Sequence, residues 1–398
     1  MAAFVSQRQI NVEISQEWSD AANSILNTSP ASLIQVVFIC GAKNSGKTTF
    51  SRYLLNTFLT KYKRVAYLDT DVGQSEFTPP GCLSLTIIDE ATPDLTIPCL
   101  KTPQRCYFFG DVSSKQDPEL YLNCIYALYD HYRKEFRSSS KKGNPSVAEL
   151  PLIINTAGWV KGLGFDILCD MLRHIAATHV VKINIFSGKK GEGDKKDLPA
   201  GAFWLDELDE SSVNLVEISP GRKDSYNRSV LVKKEARHIR ELRLRGYFRQ
   251  CLASDMSITT IEELALALAS HTPYQVPISS IKIKQLHCEV SNTEVFCSLN
   301  ATIVGLAVSC ADPQSLPICV GLGIVRGIDL SKNVIYLITP VPHKILAGVD
   351  LLLQGFIEIP TGLLQAQGCI SPYMSANVLS LKELADKIPL TKSVQSSE

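Results

Sequence analysis

Apolar residues in this chain fall into short runs separated by amphipathic and polar stretches. Leu33 to Cys40 is nearly all apolar and reads as a buried strand. The spacing that follows predicts a helix over about 47–62. A second apolar run, Val65 to Leu68, ends in the acidic Asp69-Thr70-Asp71, and Cys82 to Ile88 is a third strand. Pro118 to Phe136 has the helical period. Leu152 to Asn155 is again a strand, followed by a helix over about 165–178 and a strand over Val180 to Phe186. Ser138 to Pro145 and Gly188 to Lys196 have the composition of loops. Residues 1–32 are polar around one amphipathic stretch, Trp18 to Leu26, and read as a short helical lead-in.

The alternation of strands and helices predicts an α/β fold, a parallel sheet with helices on both faces, over residues 33–275. After about residue 275 the signals become mostly β: Ile278 to Ile283, Ala301 to Ser309, Cys319 to Val325, Val334 to Thr339 and Leu351 to Ile359. They predict a smaller β-rich C-terminal domain over 276–398, with a frayed tail from Thr391. No internal repeat is visible.

Composition narrows this picture. The 398 residues suit two domains, and 45% hydrophobic content suffices for a core in each. The 40 basic and 40 acidic residues cancel, so any nucleic-acid site must come from local clustering. None of the 12 cysteines forms a C-x-x-C pair, which argues against a zinc ribbon or a thioredoxin-like site. Met1 to Ile10 lacks the apolar core of a secretory signal, and no apolar run approaches the ~20 residues that span a bilayer. A soluble intracellular protein without a membrane partner is expected.

Candidate chemistry begins at Gly41-Ala42-Lys43-Asn44-Ser45-Gly46-Lys47-Thr48, which fits G-x-x-x-x-G-K-[ST] between a strand and a helix. This makes a P-loop NTPase sheet of the first domain. Gly41 to Thr49 would wrap phosphates with backbone amides at a helix N-terminus. Lys47 would neutralise the β- and γ-phosphates, and Thr48 would hold Mg²⁺.

Asp69-Thr70-Asp71-Val72-Gly73-Gln74 lies at a strand end, where α/β sheets bind ligands. Two carboxylates spaced i, i+2 on an extended chain point the same way. One could hold Mg²⁺ and the other could orient or deprotonate a hydroxyl. A solvated turn with capping aspartates would carry the same residues. Asn155-Thr156-Ala157-Gly158-Trp159-Val160-Lys161-Gly162-Leu163-Gly164 also follows a strand. Its glycines suit a phosphate and an exposed indole suits a stacked base. A buried tryptophan anchoring a loop would look the same.

Arg222 to Arg249 is strongly basic, and Lys234, Arg237 and Arg240 recur at helical spacing. Such a segment is either an arginine-bearing cover for a transferring phosphoryl group or a solvated basic helix.

These four segments, in this order, resemble the polynucleotide 5′-hydroxyl-kinase family, which includes RNA kinases of pre-mRNA cleavage and of pre-ribosomal RNA processing. The resemblance implies ATP as phosphate donor, Mg²⁺ as cofactor, and RNA with a 5′-hydroxyl end as acceptor. It gives Lys47 and Thr48 the ATP·Mg²⁺ contact. Asp71 becomes the candidate base, with Asp69 or Gln74 placing metal and water. Thr156, Gly158 and Trp159 become an RNA-gripping clasp. Arg237 and Arg240 become lid arginines, with Arg228 as a further candidate. Gly321 to Asp329, Tyr336 to Val341 and Leu351 to Pro360 resemble the nucleolar branch. That implies nuclear, nucleolar location, a role in rRNA processing and a pre-rRNA endonuclease partner. Family members commonly carry a folded β-domain ahead of the kinase sheet, where this chain has about 32 residues. A non-catalytic ATP-binding scaffold of such a complex is the other reading. Lys47, Thr48, Asp69, Asp71 and the arginines favour the enzyme.

Overall fold

Val36–Gly41 forms β1 and is buried along its whole length. A strand covered on both faces has no polar side, hence its apolar run. The structure, a computed structural model, describes residues 14–27, 34–92, 99–137, 150–185, 198–205, 213–220, 230–291, 293–312 and 315–364. The expected loops at 138–145 and 188–196, Arg228 and the tail from Thr391 lie outside these residues.

β1 pairs in parallel with β5 (Leu152–Asn155) and β6 (His179–Ile183). β2 (Val65–Asp69) pairs in parallel with β5, and β7 (Asn214–Ile218) with β6. The seven-stranded order is β4-β3-β2-β5-β1-β6-β7. The sheet is not wholly parallel: β3 (Cys82–Ile88) runs against β2, and β4 (Arg105–Phe108) against β3. No helix links Asp69 to Cys82, so nothing carries the chain back across the sheet before the next strand. Two reversals return β4 to the direction of β2. The residues after Phe108 therefore emerge on the same sheet edge as Gly41, Asp69 and Asn155.

Alternate residues of β1 serve opposite cores. Val37 and Ile39 pack with α1 (Gln16–Asn27) and α2 (Lys47–Leu59), while Val36 and Phe38 pack with α3 (Pro118–Tyr132) and α4 (Leu163–His174). The expected lead-in belongs to this core. Trp18 meets Phe50 edge-on at 5.2 Å, and its indole N–H donates to the Ser219 carbonyl at 2.8 Å. α3 starts where expected, with Asp117 capping Leu120 N–H and Pro118 in the first turn.

The second sheet has the order β8-β12-β11-β10-β13-β9. Its strands are β8 (Tyr274–Pro277), β9 (Lys282–Gln285), β10 (Ile303–Val308), β11 (Ile318–Asp329), β12 (Val334–Ile338) and β13 (Leu351–Gln354). Several expected strands differ in extent. The first is displaced to β9, because Ile278–Ser280 forms a 3₁₀ turn with β8 ahead of it, and the last ends at Gln354. This sheet shares a core with the first: Cys82, Cys106 and Phe108 pack with Leu322, Leu353 and Ile357. Leu244 and Phe248 of α5 (Val230–Arg249) and Leu264 of α6 (Ile261–Ser270) join them. Among the described residues no helix is long and apolar enough to cross a membrane.

Candidate active site

The phosphate loop owes its shape to two left-handed residues, Asn44 (φ 65°) and Gly46 (φ 99°). Gly46 offers no side-chain cap to α2, so the first amides of that helix are left for an anion. Ser45 Oγ is buried without a partner, which fits a phosphate oxygen. Lys47 is buried, and its ammonium donates to the Gly41 and Ala42 carbonyls at 2.9 Å each. Burial pushes its pKa down to about 8, against the opposing pull of Asp71.

The acid pair divides its work. Asp69 is buried; Oδ2 accepts from Glu76 N–H at 2.6 Å, and Oδ1 accepts from Asp71 N–H at 3.2 Å. Burial pushes its pKa up to about 7, the bond from Glu76 lowers it and the charge of Asp71 raises it. Asp71 is half-buried, and Oδ1 accepts from the Gly73 and Gln74 amides at 3.0 Å each. Gln74 thus contributes its backbone to holding Asp71.

Asn155 joins these groups, a role the sequence reading did not assign. Its amide nitrogen donates to Asp69 Oδ1 at 3.1 Å and lies 3.4 Å from Thr48 Oγ1, and its own Oδ1 is buried without a partner. Among the described residues no cluster of three or more His, Cys, Asp and Glu could hold a metal. One hydroxyl and one carboxylate bridged by an amide suit Mg²⁺, which takes few protein oxygens and fills its octahedron with water and phosphate. A cation there would also offset the burial that raises Asp69.

The basic helix is anchored at one end. Tyr247 Oη accepts from Leu322 N–H at 2.8 Å, and Leu244 and Phe248 sit in the core shared with the second sheet. Arg243 Nη2 lies 3.1 Å from Glu76 Oε2, and Arg52 of α2 reaches Glu76 Oε1 at 3.0 Å. This buried triad ties α5 to α2 through the residue whose amide holds Asp69. Arg240 is half-buried: burial and Arg237 lower its pKa, and Asp71 acts to raise it. Arg237 is exposed and pairs with Glu241 at 3.1 Å, so the two arginines have different surroundings here. Glu76→Ala would leave two buried guanidinium groups without their shared anion. The expected cost is about 3–5 kcal/mol, read by urea unfolding.

The Trp159 segment lies directly on the phosphate loop. A Cβ on Gly158 would stand 2.6 Å from Lys43 Cα. Thr156 is buried, with its hydroxyl donating to the Ile39 carbonyl at 2.8 Å; it ties β5 to β1 rather than facing outward. Trp159 is half-buried. Gly164 backs its ring so closely that a methyl group there would overlap it, and Lys115 Nζ lies 5.1 Å above the ring centre. The indole borders a small cavity with Ser114, Tyr121 and Thr156.

Residues 41–250 match the family model described as the mRNA cleavage and polyadenylation factor CLP1 P-loop, and residues 269–360 match the NOL9-like C-terminal domain. An Arabidopsis thaliana protein named polynucleotide 5′-hydroxyl-kinase NOL9 is 53% identical over 369 residues, covering 92% of this chain and 97% of its own. The chain belongs to the polynucleotide 5′-hydroxyl-kinase family. Bos taurus and Homo sapiens members of the same name are 31% and 29% identical, and this chain spans 54% and 52% of their lengths. The solved Clp1p–Pcf11p complex has the same fold, with TM-score 0.60 at 15% identity over 86% of this chain and 78% of that one. In this family member, the phosphate loop, the acid pair, Trp159 and the anchored basic helix all fall within the CLP1-type match.

Proposed function

We propose that this protein transfers the γ-phosphate of ATP to the 5′-hydroxyl end of an RNA strand, as the names of its relatives imply. The observation that carries the reading is the convergence on one sheet edge of Lys47, Thr48, Asn155, Asp69 and Asp71, with Trp159 beside them.

Each group has a task in that reaction. The phosphate loop and the free amides of α2 hold the triphosphate. Lys47 leaves the Gly41 and Ala42 carbonyls to meet the β- and γ-phosphates. Thr48 and Asp69 hold Mg²⁺, which when bound neutralises charge on the transferring group. Asp71 Oδ1 is committed to two amides, leaving Oδ2 to accept the proton of the attacking hydroxyl. Arg240 lies in the field of Asp71, placed to stabilise the equatorial oxygens, with Arg237 one turn away. The resemblance of the C-terminal segments to the nucleolar branch supports pre-rRNA processing, a nucleolar site and an endonuclease partner.

Incubation with γ-labelled ATP and 5′-hydroxyl RNA should move label to the RNA end. ATP binding without any transfer, with Mg²⁺ present, would instead make the protein a scaffold. Trp159→Ala should raise the KM for RNA by about 5- to 150-fold, the worth of one stacked base, while ATP affinity holds. The indole also packs on Gly164, so melting should fall slightly. A large loss of stability with normal RNA affinity in the folded fraction would make Trp159 a packing residue.

A further inference from the structure

The aromatic residues between the two sheets form a ladder that starts beside the acid pair. Tyr121 donates its hydroxyl to the Thr70 carbonyl at 2.7 Å, next to Asp71. Its ring meets Phe109 edge-on at 6.1 Å, and Phe109 meets His287 at 4.6 Å. His287 stacks on Phe356 at 6.2 Å with 29° between the planes. Tyr121 and Phe109 are buried, His287 is half-buried, and Phe356 ends the ladder at the surface, 49% exposed.

The backbone under Phe356 is fixed on the active-site edge. Its N–H donates to the Gly110 carbonyl at 2.6 Å, in the segment that follows β4. Gly355 lies against Gly110 so closely that no side chain fits between them. His287 Nε2 bonds to the Phe109 carbonyl at 2.5 Å. An exposed ring on an immobile support loses little entropy when a flat group covers it.

The same segment connects this ring to the Trp159 loop. Val112 is 40% exposed, and a Cβ on Gly73 would stand 2.7 Å from the Val112 carbonyl oxygen, so the chain passes over the turn that holds Asp71. Three residues later Lys115 lies over Trp159. The segment after β4 therefore runs along the chain from the support of Phe356, past the turn that holds Asp71, to the indole. We propose that Phe356 is a stacking platform for a base of the acceptor strand beyond its second nucleotide, so that the C-terminal domain takes part in holding RNA. This rests on the RNA-kinase reading and extends its footprint. The group recognised is a base and not a phosphate. A ring face accepts any base.

The test uses the full chain, saturating ATP·Mg²⁺ and 5′-hydroxyl oligoribonucleotides from about two to about twelve nucleotides long, with binding followed by fluorescence anisotropy beside turnover. Phe356→Ala is expected to raise KM and Kd for the longer strands about 5- to 150-fold, the worth of one base. The dinucleotide and ATP should be unaffected. The salt dependence of binding should not change, because no phosphate contact is lost. Phe356→Trp should retain tight binding of long strands. Equal affinities of wild type and Phe356→Ala at every length overturn the proposal and leave Phe356 to face something other than RNA. Equal losses at every length, the dinucleotide included, overturn it as well. Wild-type protein that binds long RNA without phosphorylating it removes the kinase reading alone, and the length dependence of Kd still decides on Phe356.

Discussion

Lys47→Ala is expected to leave a folded protein with no measurable phosphate transfer. The side chain serves the ligand, since its ammonium rests only on the loop's own Gly41 and Ala42 carbonyls. It is also an unfavourable charge in the ligand-free fold. Burial lowers its pKa from 10.5 to about 8, so between those values the unfolded chain holds the proton that the folded chain has released. Stability therefore rises with pH across that window and is lowest below about pH 8. Removing the charge should not lower the melting temperature at pH 7. Phosphates would restore the charge, so ATP binding above about pH 8 should take up a proton, and affinity should fall as pH rises further. Calorimetry in buffers of different ionisation enthalpy would show this uptake in the wild type and its absence in Lys47→Ala. Full transfer by the variant, at matched stability, would remove Lys47 from the mechanism.

The phosphate loop and the acid pair were legible as candidates because each is a local pattern, with its residues neighbours in the chain. Asn155 could be seen as part of a motif but not as a partner of Asp69, because the two are 86 residues apart. The Arg243–Glu76 pair spans 167 residues, and in the sequence Arg243 is one cation in a basic run. Which arginines of that run are buried, which pair with Glu241 and which lies near Asp71 depends on how α5 docks. That docking is set by Tyr247 and Phe248 against the second sheet. β4 and β7 carried no usable pattern. Arg105–Phe108 is only four residues long, and Asn214–Ile218 is a half-exposed edge strand. The missed β4 mattered most, because the segment after it carries Val112 and Lys115 past the turn of Asp71 and meets the backbone of Phe356. Thr156 and Trp159 show the same limit. Their spacing is visible, but the inward turn of the threonine and the half-burial of the indole follow from contacts with β1 and Gly164.

Asp71→Asn and Asp69→Asn should fail in different ways, and comparing them assigns the two acids. Asp71 Oδ1 is fixed by two amides, and an asparagine oxygen can accept both bonds. The variant should keep its turn and its ATP affinity while kcat falls about 10²-fold or more, as expected of a lost base. Asp69 is linked through Asn155 to Thr48, so Asp69→Asn should instead weaken ATP binding in the presence of Mg²⁺. It also removes a buried charge, at the cost of a bond, because both Asp69 oxygens accept from buried N–H groups and an asparagine amide nitrogen cannot. Burial raises the Asp69 pKa from 3.8 to about 7, so over that range the unfolded chain ionises first and stability falls as pH rises. Above about pH 7 the full cost of the buried charge is present, on the order of 4 kcal/mol for such a shift. The melting temperature of Asp69→Asn relative to the wild type should then rise between about pH 4 and pH 8, and Mg²⁺ with ATP should stabilise only the wild type strongly. Thermal melts across pH, with and without ATP·Mg²⁺, together with saturating kcat for both variants, decide the assignment. Should Asp71→Asn lose ATP·Mg²⁺ binding and retain normal turnover at saturation, Asp71 is the metal-linked acid and the proton acceptor lies elsewhere.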